Sequence, residues 1–303
     1  MSASDHPLAG LDLAFAPPLD LVASLAPMGR AGDDLIDRFD GLRALRTTRL
    51  APTDPPIPYT AQVTGSATQP TLTIEIEFRL ADRLAQIARA VEATLLTDRS
   101  ALAQLAAADA PVAQLARRYK GIVPLLYRDP FTALIRSISA QQVNLRWAAM
   151  VRARIAQRYG TRHSVGPWQV WSLHPGPLSA ARPEDLRELQ LTTAKAVSVI
   201  DVAQAAQAGE LRLSELDAMD DEQLIAHLTG LRGIGRWSAE WFLARTLGRP
   251  RVVAGDLGVR KAIGRLYGTP QMPSELEVRR LTAHWGAAAT HAQALALHDL
   301  AQP

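Results

Sequence analysis

The hydrophobic and polar positions near residue 75 alternate with the period of a β-strand. Leu72, Ile74, Ile76 and Phe78 are separated by threonines and glutamates, so one face of the segment is apolar and the other is polar. Apolar residues then recur at helical spacing over residues 81–96. The pattern therefore predicts a strand followed by a helix.

Earlier segments of the chain add to this unit. Residues 11–15, 43–50 and 60–65 predict further strands, and the Pro-rich stretch 51–58 predicts a connecting loop. We therefore expect residues 1–100 to form a small N-terminal α/β domain with an antiparallel sheet and helices. Because residues of catalytic type do not converge here, we expect this domain to serve structure or docking.

From about residue 101 the pattern becomes helical, and no further strand is predicted. Asp129 and Pro130 mark a helix start, because aspartate accepts backbone N–H bonds and proline has no N–H to leave unpaired. That helix should end at about Ala140. Asn144 can cap the next helix, which should extend to about Tyr159. The sequence thus predicts an α+β protein with a mostly helical C-terminal part.

The helix after Asn144 is predicted to be amphipathic. Its inward positions are Trp147, Val151 and Ile155, and its outward positions are Arg146, Arg152, Arg154 and Arg158. Gln141 and Gln142 form the tight turn before it, and exposed glutamines on a turn are usually inert. Residues 161–180 are rich in Gly and Pro and predict a long connection. Shorter helices are predicted at 183–191, 194–208 and 220–228.

The turn 231–235 reads Leu-Arg-Gly-Ile-Gly and precedes a helix that should begin at about Arg236. Gly233 and Gly235 let a ligand approach the backbone, and either can adopt a positive φ. The free N–H groups of the following helix suit a phosphate. A plain connection between two helices explains the same glycines. Asp256 follows Gly235 by 21 residues, and it fits either a catalytic carboxylate or the N-cap of a helix.

Composition narrows the chemistry. The chain has no cysteine, which excludes disulfides, thiolate zinc sites and cysteine-bound iron–sulfur clusters. Residues 115–160 carry nine Lys and Arg against one Asp, and residues 231–268 carry eight against two acidic residues. Such basic segments favour a polyanion such as nucleic acid, although a solvated basic face is the alternative. With neither a secretory signal nor a membrane-length apolar run, we expect a cytoplasmic protein.

The combined motif resembles the helix-hairpin-helix DNA glycosylase superfamily. The matching residues are Leu231, Gly233, Ile234, Gly235, Ser238, Ala239 and Asp256. The stretch 129–144 is similar to the first helical signature of the same family. Together with the N-terminal domain, the chain looks most like the 3-methyladenine DNA glycosylase II branch, which repairs alkylated bases. The resemblance implies a core with two helical lobes, 127–255 and 101–126 plus 256–303.

The resemblance also implies roles for individual residues. Asp256 corresponds to the catalytic aspartate. The implied pocket residues are Trp237, Trp241 and Leu257, and the implied DNA contacts are Gln141, Gln142, Arg232, Gly233, Ile234, Gly235, Arg236 and Ser238. Gln142 corresponds to the residue that is inserted into the duplex. The backbone carbonyls of Thr229, Leu231 and Ile234 correspond to a structural K⁺ or Na⁺ site, and the chemistry needs no cofactor.

Trp237 stands where family members that also cleave the strand carry a nucleophilic lysine. A lyase step requires an amine, and the nearest one beyond Asp256 is Lys261. The expected function is therefore a monomeric, monofunctional glycosylase that acts on alkylated bases in double-stranded DNA of the nucleoid, with no membrane partner. Two alternatives stay open: a DNA-binding hairpin protein without catalysis, and a glycosylase for oxidised or mismatched bases. Trp237 and Trp241, four residues apart, could also be a packed aromatic pair in the core.

Overall fold

The computed structural model describes residues 7–51 and 54–302. Residues 1–6, 52–53 and 303 lie outside this description. Two predictions therefore lie partly outside the described residues. One is the Pro-rich loop at 51–58, and the other is the absence of a secretory signal, which concerned the first residues of the chain. The α+β class is confirmed, since an antiparallel sheet near the N-terminus is followed by a long helical part.

The N-terminal sheet has five strands. They are β1 (Leu8–Ala14), β2 (Arg38–Phe39), β3 (Arg43–Thr48), β4 (Ile57–Val63) and β5 (Thr71–Glu77). Their order is β1-β5-β4-β3-β2, and each neighbouring pair is antiparallel. Leu72, Ile74 and Ile76 of β5 are buried, which confirms the predicted alternation. Phe78 instead begins a 3₁₀ segment (Phe78–Arg83) that precedes the helix, and its side chain is exposed.

Helices make up most of the remaining structure. They are α1 (Leu21–Leu25), α2 (Leu84–Glu92), α3 (Ser100–Ala108), α4 (Ala110–Arg118), α5 (Pro130–Ala140), α6 (Leu145–Tyr159), α7 (Pro175–Ser179), α8 (Pro183–Glu188), α9 (Thr193–Ala208), α10 (Leu213–Ala218), α11 (Asp221–Thr229), α12 (Arg236–Phe242), α13 (Leu257–Tyr267), α14 (Glu275–Leu281) and α15 (Ala289–Leu300). Shorter 3₁₀ segments lie at Ala26–Met28 and Ala283–Ala288, and a π-helical turn, Leu243–Leu247, extends α12. Among the described residues, no helix combines the length and apolarity required to cross a membrane.

Several helix starts follow from local side-chain chemistry. Asp129 accepts the N–H of Thr132 at 2.7 Å, and Asn144 accepts the N–H of Trp147 at 2.8 Å. Both predicted caps are therefore confirmed. Each cap fixes where its helix begins, and Asn144 thereby also ends the short turn between α5 and α6.

The prediction that strands do not return after residue 101 is wrong. Residues 161–180, predicted to be a long connection, contain the hairpin β6 (Thr161–Val165) and β7 (Trp168–Ser172), followed by α7. Gly166 has φ +53° in the turn, which glycine adopts without strain. The strands have five residues each, so their alternation is short, and the Gly-Pro turn between them also fits an irregular loop.

Within the described residues, buried apolar side chains form three clusters. The first lies between the N-terminal sheet, α1 and α2. The second lies among α5 to α12, and the third joins α3 and α4 to α13, α14 and α15. Ile36, although it precedes β2, belongs to the second cluster. The segment before β2 therefore packs into the helical part.

That segment brings carboxylates to buried arginines. Asp34 binds Arg136 at 2.8 Å and Arg152 at 2.9 Å, and Asp37 binds Arg46 at 2.6 Å as well as Arg136. All five residues are buried, and together we call them the buried ion cluster. The prediction that Arg152 faces outward is therefore wrong. Trp147 was predicted to face inward and is 38% exposed instead.

Candidate active site

The predicted hairpin is formed by α11, the turn 230–235 and α12. The helix begins at Arg236 as predicted. Gly233 has φ +76°, and a Cβ added there would lie 2.0 Å from Oγ of Ser198. Gly233 is therefore required by both backbone conformation and packing. Gly235 has φ −94°, and nothing lies within 4 Å of an added Cβ. Space for a ligand is thus left beside Gly235.

Asp256 lies beside the hairpin helix. It is the N-cap of α13, where its Oδ1 accepts the N–H of Val259 at 2.9 Å. Its Oδ2 accepts a hydrogen bond from Nε1 of Trp237 at 3.2 Å. The structure therefore brings together two residues that are 19 apart in sequence. The N-cap interpretation of Asp256 is therefore confirmed, and the catalytic one stays a prediction that the cap does not exclude, because an N-cap uses only one of the two carboxylate oxygens.

Trp237 and Trp241 contact different partners. The ring of Trp241 stacks on that of Tyr127, with centroids 5.9 Å apart and planes at 22°. The guanidinium of Arg136 lies 4.5 Å from the Tyr127 centroid, so Trp241 is connected to the buried ion cluster through cation–π contact. Tyr127 was not among the predicted site residues, and no sequence motif singles it out. Leu257, next to Asp256, is 54% exposed.

The turn between α5 and α6 is bound to the hairpin. Nε2 of Gln141 donates to the carbonyl of Gly233 at 2.8 Å and to Oγ of Ser238 at 3.3 Å. Nζ of Lys195 donates to the carbonyl of Gln141 at 2.5 Å. Partial burial lowers the pKa of Lys195. Lys195 is therefore a functional candidate that was not among the predicted site residues, since its role depends on a carbonyl 54 residues away.

Gln142 is exposed and has φ +55°. A positive φ is uncommon for a residue with a side chain, and here it turns the chain between α5 and α6. The side chain of Gln142 is free of the hydrogen bonds that hold Gln141 in the described structure. The two glutamines thus differ, since Gln141 holds the turn against the hairpin while Gln142 is presented at its tip.

Two of the predicted DNA contacts have buried side chains. Ser238 is 1% exposed and its Oγ accepts from Ser137 at 2.8 Å, while Ile234 is 4% exposed. The Ser238 side chain therefore anchors α5 and Gln141, and the predicted contact of this residue with DNA stays a prediction for its backbone. Ile234 offers only its backbone to a ligand. The Arg232 and Arg236 side chains are exposed on the same hairpin.

A buried glutamate connects the hairpin helix to α14. The Glu240 side chain is 1% exposed and binds Arg236 at 3.1 Å and Arg279 at 2.8 Å. Arg279 also binds Glu275 at 2.7 Å. An Oε atom of Glu275 lies 3.3 Å from the position of a Cβ added to Gly255, the residue before Asp256. This network therefore fixes α14 beside the segment that carries Asp256.

The three carbonyls predicted to bind K⁺ or Na⁺ lie within residues 229–234. The carbonyl of Leu231 accepts the N–H of Ile234 at 3.1 Å and retains a second lone pair. Carbonyl oxygens suit alkali-metal ions, so the donor set fits the predicted ion. No group of three or more His, Asp or Glu side chains suited to a metal occurs in residues 7–51 and 54–302.

Known proteins with similar sequences carry related names. The chain is 26% identical over 184 residues to the DNA-3-methyladenine glycosylase of Bacillus subtilis, covering 60% of this chain and 61% of that protein. It is 36% identical over 117 residues to DNA-3-methyladenine glycosylase 2 of Escherichia coli, covering 39% and 41%. The matches thus span less than two thirds of these relatives.

Solved structures show the same fold. The 3-methyladenine DNA-glycosylase from Archaeoglobus fulgidus superposes with a TM-score of 0.80 at 22% identity, over 95% of this chain and 98% of that one. Residues 135–287, half of the chain, match the HhH-GPD superfamily of base excision DNA repair proteins. This stretch contains the hairpin, Trp237 and Asp256. The chain therefore belongs to the HhH-GPD superfamily of base excision DNA repair proteins.

Proposed function

We propose that this protein is a monofunctional DNA glycosylase that hydrolyses the N-glycosidic bond of alkylated bases, such as 3-methyladenine and 7-methylguanine, in duplex DNA. The observation that carries the proposal is the position of Asp256, whose carboxylate is held by Val259 and Trp237 beside the hairpin helix. The names of the sequence relatives support the substrate class.

The proposed chemistry needs one anion. When the base leaves, positive charge develops on the deoxyribose, and a carboxylate held close to C1′ stabilises that charge. Asp256 is fixed by two hydrogen bonds, so little reorganisation is required during the reaction. Bases such as 3-methyladenine and 7-methylguanine carry positive charge and leave readily, so a general acid is dispensable. Asp256 can also align the attacking water.

The damaged nucleotide would leave the helix and enter a pocket lined by Trp237, Trp241 and Leu257. The aromatic faces of Trp237 and Trp241 would attract a cationic base. Strand cleavage is not expected, because Trp237 is hydrogen bonded to Asp256 at the position of the lyase lysine. Nζ of Lys195 donates to the backbone carbonyls of Ser139 and Gln141.

The hairpin would hold the damaged strand through phosphate. Gly235 leaves the backbone accessible, Arg232 and Arg236 add positive charge, and Gln142 would fill the gap in the duplex. A K⁺ or Na⁺ held by the carbonyls of Thr229, Leu231 and Ile234 would add charge at the same phosphate. The α/β domain 1–100 and the lobes 127–255 and 101–126 plus 256–303 would act as a monomer on nucleoid DNA.

The Asp256→Asn variant tests this function, because asparagine can still cap α13 but lacks the negative charge. We expect release of 3-methyladenine and 7-methylguanine from alkylated duplex DNA to fall at least about 100-fold. Asp220→Asn is the matched control, since Asp220 caps α11 in the same way through Gln223 at 2.8 Å. Absence of base release by the unmodified protein would show that the chain is not this enzyme, and equal release by Asp256→Asn and the unmodified protein would remove Asp256 from the mechanism. Strand cleavage in the same assay would contradict the monofunctional part alone.

A further inference from the structure

Next to Gln142 the surface is unusually apolar. Residues 142–147 are all exposed, and three of them are large and apolar: Val143 at 37%, Leu145 at 61% and Trp147 at 38% exposure. Tryptophan is normally largely buried. An exposed apolar group within six residues of chain marks an interaction surface.

The backbone of this surface is held by hydrogen bonds within the protein. Asn144 caps α6 through the N–H of Trp147, so the backbone of Trp147 is fixed. Gln141 is hydrogen bonded to Gly233 of the hairpin and to Lys195 of α9. Because the turn and the hairpin are joined in this way, Trp147 can add affinity at a low entropic cost.

The position of Trp147 indicates which strand it meets. Helix α5 packs against both α6 and α12. Gln141, on one side of the Gln142 tip, binds Gly233 of the hairpin, and Trp147 follows that tip in the first turn of α6. If the hairpin holds the damaged strand and Gln142 enters the gap, the surface beyond the turn faces the opposite strand. Arg146, also exposed, provides a cation there for its phosphates.

We propose that Trp147 stacks on the base that loses its partner when the damaged nucleotide leaves the helix. The inference rests on the proposed function for the presence of a displaced nucleotide. An unpaired base exposes an aromatic face that water solvates poorly, and an exposed indole ring offers a matching face. Stacking of this kind tolerates any base, which suits repair at arbitrary sequence positions.

The test measures the affinity of the full chain for two duplexes. Both contain a tetrahydrofuran abasic-site analogue, placed opposite thymine in one duplex and opposite a second analogue in the other. We expect the unmodified protein to bind the thymine duplex about five- to tenfold more tightly, a range at the lower end for base–aromatic stacking. Trp147→Ala should abolish this difference, and Trp147→Phe should preserve most of it.

Trp168→Ala is the matched control. Trp168 is a partly exposed tryptophan on β7 that packs under the Arg43 guanidinium, 4.6 Å from its ring centroid, and its removal should leave the difference between duplexes intact. The proposal is overturned if Trp147→Ala weakens binding to both duplexes equally, or to neither.

The binding assay involves no bond cleavage, so its outcome is separable from the catalytic test. If Asp256→Asn retains full activity while the dependence on the opposite base persists, only the proposed glycosylase chemistry fails. If Asp256→Asn abolishes base release while Trp147→Ala keeps the dependence on thymine, only the stacking proposal fails.

Discussion

Four arginines, two from each of the two arginine-rich segments, lie in contrasting environments. In residues 115–160, Arg136 and Arg152 are buried and bound to Asp34 and Asp37 of the N-terminal domain. In residues 231–268, by contrast, Arg232 and Arg236 of the hairpin are exposed. Arg136 and Arg152 therefore connect the helical part to the segment before β2, while Arg232 and Arg236 lie at the surface where DNA is expected to bind.

The comparison shows why a count of charges overstates a binding surface. Burial penalises a charge unless a partner is close, and the loop through Asp34 supplies that partner. The oxygens of Asp34 also accept the N–H groups of Ile36 and Asp37, so the loop conformation and the ion pairs depend on each other. We therefore expect substitutions in the buried ion cluster to affect folding, and substitutions in the hairpin to affect binding.

The largest effect is expected for Arg152→Ala. The change removes one of the two guanidinium groups that neutralise Asp34, and the free energy of unfolding should fall by about 3 to 5 kcal/mol. Arg158→Ala is the matched control on the exposed face of α6, where about 0.5 kcal/mol or less is expected. Urea denaturation measures both. Equal stabilities for the two variants would remove the distinction between buried and exposed arginines.

Acid should weaken the same cluster. Burial alone would raise the pKa of Asp37, but the Arg46 and Arg136 charges outweigh it and lower the pKa from 3.8 to about 2. Between pH 4 and 2 the unfolded chain binds more protons at Asp37 than the folded protein does. The contribution of this carboxylate to the free energy of unfolding is therefore present above about pH 4 and is lost as pH falls toward 2. The loss should be about 2 kcal/mol.

Denaturation of Asp37→Asn over the same pH series checks this expectation. The variant should be less stable at neutral pH and should show a shallower decline between pH 4 and 2. Identical slopes for the variant and the unmodified protein would mean that Asp37 does not titrate with folding.

The sequence predicted features that depend on neighbouring residues. The alternation in β5 and the caps at Asp129 and Asn144 were correct, because strand period and capping act over a few residues. Gly233, Gly235 and Asp256 were located by a motif that lies within one continuous stretch of the sequence. The roles of these residues in DNA binding and catalysis stay predictions.

Features that depend on distant partners were not predicted. Arg152 has the spacing of an exposed residue, and only Asp34, 118 residues away, makes its burial favourable. Tyr127 is a candidate because it stacks on Trp241, and Lys195 is one because it donates to the carbonyl of Gln141. Trp147 fits the apolar stripe of α6 but lies in its exposed first turn. A helical pattern shows which residues share a face, but not where along the helix that face is covered.

The smallest effect on stability is expected for Gly235→Ala, which should change DNA binding by the hairpin without affecting its folding. Gly235 has a backbone conformation open to alanine, and an added Cβ meets nothing within 4 Å. Gly235→Ala should therefore change the free energy of unfolding by less than about 1 kcal/mol. If a phosphate contacts this backbone, the methyl group occupies its space, and the Kd for duplex DNA should rise about tenfold.

Gly233→Ala provides the opposite case. Its φ of +76° and the 2.0 Å approach to Ser198 mean that an added Cβ strains the fold, so this variant should lose about 1 to 3 kcal/mol of stability. Unchanged DNA affinity in a folded Gly235→Ala protein would show that DNA does not approach the hairpin at this residue. A loss of DNA affinity without a loss of stability would show that the space beside Gly235 is open in the free protein and filled when DNA binds. The buried ion cluster differs in this respect, because its arginines are already bound to Asp34 and Asp37 in the free protein.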